Sequence, residues 1–124
     1  MNRIVIVIFC MILVFGAMSC RHTVDYSQYP EVKYSTDVSP VISANCTQSG
    51  CHGSVDFRRF SLLTYDDLIQ HTHVVSGKPE QSNLYSVIRT LNKNNRMPVD
   101  PLPPLTDDQI KMIYLWIAQG AKNN

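Results

Sequence analysis

The residues best suited to chemistry lie together in one short segment, residues 46–52, which read CTQSGCH. Two cysteines separated by four residues, the second followed directly by His52, form a C-x4-C-H pattern, a wider form of the C-x-x-C-H pattern that attaches haem covalently. The thiols of Cys46 and Cys51 would add to two vinyl groups as thioethers, and His52 would supply an imidazole to the iron. Ser49 and Gly50 are small, permissive residues that let the loop between the thiols bulge.

Two other chemistries fit the same segment. Outside the cytoplasm Cys46 and Cys51 could instead form a short disulfide, and on these seven residues alone a disulfide and a haem site are about equally favoured. A zinc site would need further ligands at paired spacing. His71 and His73 could serve, but no second cysteine pair is present, so zinc is the least favoured of the three.

The first twenty residues are typical of an export signal. A basic head containing Arg3 precedes twelve uninterrupted apolar residues, 4–15. That run is shorter than the ~20 residues needed to span a bilayer and falls within the ~7–15 of a signal-peptide core. Small residues then lead to Cys20, so the segment resembles a bacterial lipoprotein signal, which is cut before a cysteine that becomes lipidated. We therefore predict a signal peptide at 1–19 and lipidation at Cys20.

Composition limits the remaining chain to one small domain with no strong charge. The 124 residues carry 11 Lys and Arg against 10 Asp and Glu, and only 17% are charged, below the ~25% typical of soluble domains. Loss of Arg3 with the leader leaves basic and acidic residues equal in number. A nucleic-acid partner is therefore not expected. We predict a lipidated tether over 20–34 and a folded domain over 35–124.

The domain itself is predicted to be all-α. Thr36 or Ser39 is placed to cap a first helix running into Cys46, and Thr64 begins a second helix with acids in its first turn. A third helix opens at Pro79 or Ser82, with one apolar face formed by Leu84, Val87, Ile88 and Leu91. The short apolar pairs elsewhere are too brief to indicate strands.

The last third of the chain gives the clearest signals. Four prolines between residues 92 and 105 rule out regular structure there. Thr106 and Gln109 then form a capping box for a final helix, which Gly120 is suited to end. Its apolar face contains Ile110, Ile113, Tyr114 and Ile117.

From Thr36 onward the sequence resembles a family of small cytochrome c domains found in bacterial lipoproteins and exported proteins. The shared features occur in the same order: a helix leading into the haem motif, a Leu-x-x-Tyr segment (62–65), a Gly-x-Pro-x-x-Ser turn (77–82), a Met-Pro loop (97–98) and a final Trp-Ile-x-x-Gly-Ala helix (116–121). The resemblance covers about 85 residues, nearly the whole domain. The departure is the four-residue gap between the thiols.

The resemblance implies a class I-like, mono-haem c-type cytochrome that transfers electrons and is not an enzyme. It implies one covalent haem c on Cys46 and Cys51, with His52 as proximal and Met97 as distal iron ligand. Other redox proteins would be its transient partners, and the lipid anchor would hold it to the membrane of the bacterial cell envelope, facing the periplasm. Two alternatives remain: a haem-free lipoprotein binding module with a Cys46–Cys51 disulfide, and a haem enzyme or sensor with an open distal side.

Several other residues are candidates for supporting roles around such a haem. His71 and His73 are rival distal ligands, and Trp116 is expected to be a core aromatic that could lie near the cofactor. Arginine binds carboxylates with two parallel hydrogen bonds, so the haem propionates could be bound by one of four residues, Arg58, Arg59, Arg89 and Arg96. The sequence does not distinguish among these four.

Overall fold

The computed structural model describes residues 24–55 and 59–124. Within these ranges the chain is helical and has no strand, which confirms the predicted all-α class. A π-helical turn leads directly into helix α1, and a 3₁₀ turn precedes α3; the bounds are Tyr34–Val38 (π turn), Ser39–Cys46 (α1), Tyr65–His71 (α2), Pro79–Gln81 (3₁₀ turn), Asn83–Arg89 (α3) and Asp107–Ala118 (α4).

Part of the sequence prediction falls outside the described residues. The signal peptide at 1–19, the lipidated Cys20 and Arg58 all lie there. In the portion that the structure describes, every helix is too short or too polar to cross a bilayer.

Helix α4 forms the centre of the core and begins as predicted. The Thr106 hydroxyl accepts a hydrogen bond from the Gln109 amide, and the Gln109 side chain accepts one from the Thr106 amide. This capping box satisfies two amide groups that would otherwise lack partners at the helix start. The buried face of α4 belongs to a single core to which every other α-helix contributes apolar residues. That core comprises Val38, Ile42, Leu62, Leu68, Leu84, Ile88, Leu105, Ile113, Trp116, Ile117 and Ala121.

The start of the first helical segment differs from the prediction. Neither Thr36 nor Ser39 caps it, because the chain is already helical from Tyr34. Asp37 supplies the anchor instead, since its carboxylate accepts a hydrogen bond from the Lys33 amide at 2.7 Å. The predicted cap at Thr64 is confirmed, with its hydroxyl accepting from the Asp67 amide at the start of α2.

Helix α3 is shorter than its apolar pattern indicates. It ends at Arg89, so Leu91 leaves the apolar face and is 95% exposed. Ser82 makes no capping hydrogen bond to α3. Its buried hydroxyl instead accepts from the Val75 amide at 2.9 Å and donates to the Lys78 carbonyl at 3.0 Å, which ties the preceding turn together.

The described part of the predicted tether, residues 24–33, lies along the C-terminal half of α4, and we refer to it as the N-terminal strap. Gln119 holds it at two points, accepting from the Val32 amide at 2.9 Å and donating to the Pro30 carbonyl at 3.0 Å. The hydroxyls of Tyr26 and Tyr114 are 2.8 Å apart, and Lys122 pairs with Glu31 at 3.0 Å. The strap is thus bonded to the folded domain.

Candidate functional site

The segment between the two cysteines is a closed loop at the end of α1. The His52 amide donates to the Cys46 carbonyl at 2.9 Å, and the Cys51 amide donates to the Gln48 carbonyl, also at 2.9 Å. Gly50 takes the left-handed backbone conformation that this inner turn requires, with a φ of 76°. The two residues by which the motif exceeds C-x-x-C-H are therefore absorbed in a turn, and the loop ends stay together.

Gly53, directly after the motif, is required by the close approach of the loop to itself. A Cβ at this position would lie 2.4 Å from the Thr47 carbonyl oxygen, which is backbone and cannot rotate away. Gly53 is buried, and its hydrogen atom occupies the space where any other residue would carry a side chain. The motif spacing does not select this glycine, and its position directly after the histidine is the one signal in the sequence that marks it.

Both motif cysteines are half-buried free thiols. Cys46 packs against the hydrophobic core at the end of α1. Burial, and to a smaller extent the nearby Cys51, raises the pKa of the Cys46 thiol to about 11, so this thiol stays protonated at neutral pH.

His52 is held in one tautomer by a backbone contact from the far side of the loop. Its Nδ1 lies 2.9 Å from the Phe60 carbonyl oxygen, which can only accept a hydrogen bond, so Nδ1 carries the proton. The lone pair of the neutral ring is therefore on Nε2. The His52 carbonyl in turn accepts from the Leu62 amide at 2.8 Å, so backbone and side chain are both anchored to the segment before α2. A histidine fixed through Nδ1 in this way is the usual arrangement of a metal ligand.

The Phe60 ring stacks against two imidazoles. Its centroid is 4.6 Å from that of His52 and 4.9 Å from that of His71, and the ring planes are within 17° and 12° of parallel. His73 is exposed just after α2, with a left-handed φ of 48°. The described residues contain no group of three or more His, Cys, Asp or Glu side chains arranged to hold a metal ion.

Met97 lies in the proline-rich segment between α3 and α4. Its amide donates to the Val87 carbonyl at 2.9 Å, so its backbone is fixed to α3, and the residue is 36% exposed. The following residue, Pro98, is buried. The hydrogen bonds and aromatic contacts of the described residues include none between Met97 and His52. The structure therefore brings Cys46, Cys51 and His52 together and places Met97 on a separate, anchored loop.

Trp116 is a core residue. It is 1% exposed, and its indole nitrogen donates to the Lys122 carbonyl at 3.0 Å. Its ring lies near the rings of Tyr34 and Tyr65, with centroids 5.9 and 6.4 Å away. The expectation of a core aromatic is confirmed.

Comparison with protein-family models found no matching family, and comparisons with curated proteins and with solved structures found no match.

Proposed function

We propose that this protein is a small c-type cytochrome that carries electrons with one covalently attached haem c. The observation that carries the proposal is the fixed geometry of the motif loop. The hydrogen bond to the Phe60 carbonyl fixes the His52 proton on Nδ1 and leaves Nε2 as the ligand atom. His52 directly follows Cys51, one of two free thiols in a loop that backbone hydrogen bonds close. A haem supplies one-electron cycling between ferric and ferrous iron.

The residues present fit such a group. Cys46 and Cys51 would hold it through thioether bonds, His52 through Nε2 and Met97 through its sulfur on the opposite side. The C-x4-C spacing supports this assignment once the inner turn is taken into account, because the Gln48–Cys51 hydrogen bond shortens the path between the two thiols.

His71 is disfavoured as the second iron ligand by its contact with Phe60. A distal ligand faces the proximal histidine across the porphyrin plane. Phe60 is in stacking contact with both His52 and His71, and a phenyl ring in that position leaves no room for a porphyrin between the two imidazoles. Met97, on an anchored loop and with a partly exposed side chain, remains the better candidate.

Exposed apolar side chains near the motif loop and the Met97 loop also support the binding of a large apolar group such as haem. Val55 is 60% exposed and Leu63 is 53% exposed, on either side of the Phe60 segment, and Leu91 is 95% exposed shortly before Met97. Single exposed apolar residues are common, but here they flank both proposed ligand loops. A small domain also has limited apolar core of its own and gains from a buried cofactor.

The proposed setting is the bacterial cell envelope. With Cys20 lipidated after removal of residues 1–19, the domain would be tethered to a membrane, facing the periplasm. Its partners would be other redox proteins, met transiently through small interfaces. A six-coordinate iron leaves no position for substrate, so the protein would be a carrier and not an enzyme.

The deciding experiment is expression with a c-type cytochrome maturation system, followed by a haem stain on a denaturing gel. We expect a stained band for the wild type, loss of the stain for the Cys46→Ala/Cys51→Ala double variant, and retention for Ser49→Ala, a matched change in the same loop. A wild type that is matured in parallel with a control cytochrome but never stains would refute the proposal. An intact mass lower by two hydrogens than that of the reduced chain would then support the Cys46–Cys51 disulfide.

The distal assignment needs a separate measurement. Ferric His/Met haem shows a weak long-wavelength charge-transfer band from the sulfur–iron bond. We expect this band in the wild type and its loss in Met97→Ala, with covalent haem retained. If the wild type lacks the band and binds carbon monoxide readily when reduced, the haem enzyme or sensor alternative is favoured.

A further inference from the structure

Arg96, the residue before Met97, is the most buried of the arginines in the described residues that form ion pairs. Its side chain is only 11% exposed. One terminal nitrogen, Nη2, donates both to the Asp100 carboxylate at 3.0 Å and to the Leu102 carbonyl at 2.9 Å. The Nε–H group is buried and has no hydrogen-bond partner among the described residues. A buried donor without an acceptor is unfavourable, so this atom indicates a missing acceptor.

The other described arginines are differently placed. Arg89 is 54% exposed, pairs with Glu80 at 3.5 Å and lies over the Tyr85 ring at 5.3 Å. Arg59 is exposed and adopts a left-handed φ of 64°. Arg96 is therefore the described arginine that combines burial with an unengaged N–H group.

The charges around Arg96 favour an anion. Lys93 also approaches Asp100, at 3.5 Å, so two cations share one carboxylate. The cluster formed by Lys93, Arg96 and Asp100 keeps one formal positive charge. A second carboxylate would balance that charge and could accept the hydrogen bond that Nε offers.

We infer that Arg96 binds a haem propionate, with its Nε–H donating to the propionate carboxylate while Nη2 keeps its bonds to Asp100 and Leu102. This inference rests on the proposed function. Of the four arginines that the sequence left equivalent, three lie in the described residues, and the inference selects Arg96 from these three. Arg96 directly precedes Met97, the proposed distal ligand. One loop would therefore bind the haem iron through Met97 and a haem propionate through Arg96.

The test compares variants of the matured, haem-containing protein by resonance Raman spectroscopy, in which the propionate bending mode responds to hydrogen bonding at the carboxylate. We expect Arg96→Gln and Arg96→Lys to shift this mode, since neither side chain has the guanidinium Nε–H group. Lys93→Gln removes a charge from the same cluster and should leave the mode in place. Asp100→Asn weakens the brace on Nη2 but retains Nε, and should also leave it in place.

The outcomes separate the two proposals. A wild type without covalent haem refutes the proposed function. A wild type with haem and the sulfur–iron band, whose propionate mode is unchanged in both Arg96 variants, overturns only the role of Arg96. An equal shift in Asp100→Asn and Arg96→Gln would show that Arg96 only braces the loop, and would likewise overturn it.

If neither Arg96 variant folds, a measurement on the wild-type protein still tests the role of Arg96. In haem-containing protein labelled with ¹⁵N-arginine, the Arg96 Nε–H resonance should exchange slowly with solvent and move between the ferric and ferrous forms. A resonance that exchanges freely and does not respond to the oxidation state would overturn the inference.

Discussion

His52 and Phe60 are joined by two contacts, a hydrogen bond from the His52 Nδ1 to the Phe60 carbonyl at 2.9 Å and a ring stack with centroids 4.6 Å apart. The hydrogen bond uses the backbone carbonyl of Phe60 and would survive replacement of the Phe60 side chain. The stack depends on the phenyl ring. The two contacts can therefore be separated by substitution.

Phe60→Ala should lower the free energy of unfolding by about 1–3 kcal/mol, less than for a fully buried phenylalanine because Phe60 is only half-buried. Both imidazoles lose their stacking partner, but the His52 tautomer should persist. Urea unfolding of the haem-free protein measures the loss, with Leu91→Ala as a control within about 0.5 kcal/mol of the wild type. A Phe60→Ala protein as stable as the control would contradict the packing role.

Gly53→Ala should destabilise the motif loop by roughly 1–3 kcal/mol, because its Cβ would meet the Thr47 carbonyl oxygen. Gly50 provides the matched control, since it has a positive φ but open space around its Cβ position. Asparagine tolerates that backbone conformation, so Gly50→Asn should fold nearly as well as the wild type. Chemical denaturation of both variants tests the difference, and equal stabilities would show that the loop can open without cost.

The stability of the reduced, haem-free protein should fall as the pH rises from about 9 to about 11. The Cys46 thiol has its ordinary pKa of 9.0 in the unfolded chain, and burial raises that pKa to about 11 in the folded chain. In this window the unfolded chain has lost a proton that the folded chain retains, so ionisation favours unfolding. The stabilisation from keeping the Cys46 thiol protonated is fully present below the unfolded-state pKa of 9.0. It is lost as the pH rises through about 11, and the loss is at most ~2–3 kcal/mol.

Comparison with Cys46→Ala isolates that effect from the tyrosines and lysines that titrate in the same range. The difference in unfolding free energy between the two proteins should shrink across this pH window. Parallel curves for wild type and Cys46→Ala would mean that the thiol is not protected from solvent.

Gln119→Ala should release the N-terminal strap, because one side chain makes hydrogen bonds to both Val32 and Pro30. Each such bond contributes about 0.5–1.5 kcal/mol. Hydrogen exchange of residues 24–33 should accelerate, while that of α4 changes little. Gln109→Ala, at the capping box of α4, is the control and should leave strap exchange unchanged. Unaltered strap exchange in Gln119→Ala would mean that the Tyr26–Tyr114 and Glu31–Lys122 contacts hold the segment without Gln119.

Local sequence signals predicted the fold well where a side chain acts on its own backbone. The caps at Thr64 and Thr106, the irregular segment rich in proline and the stop at Gly120 are all confirmed. The start at Tyr34 and the early end at Arg89 were not predicted. The hydrogen bonds found at these two ends, from Lys33 to Asp37 and from Met97 to Val87, are not contained in the periodicity.

The candidate site divides in the same way. Cys46, Cys51 and His52 could be selected from their spacing, because the chemistry requires adjacent groups. The roles of Gly53, Phe60 and Arg96 depend on how the chain folds back on itself. The Thr47 carbonyl leaves no room for a side chain at Gly53, and the Arg96 Nε has no hydrogen-bond partner among the described residues. Such contacts join residues whose types alone carry no specific signal.

If Cys20 is lipidated, the contacts of the N-terminal strap with α4 limit how far the domain can lie from the membrane. A free tether over residues 20–34 could extend ~50 Å, at about 3.5 Å per residue. With residues 24–33 bonded along α4, the chain from Cys20 to Val24 could span at most ~15 Å, even at full extension. If Cys20 carries the anchor, the domain would work close against its membrane, and redox partners would have to come to it within that thin layer.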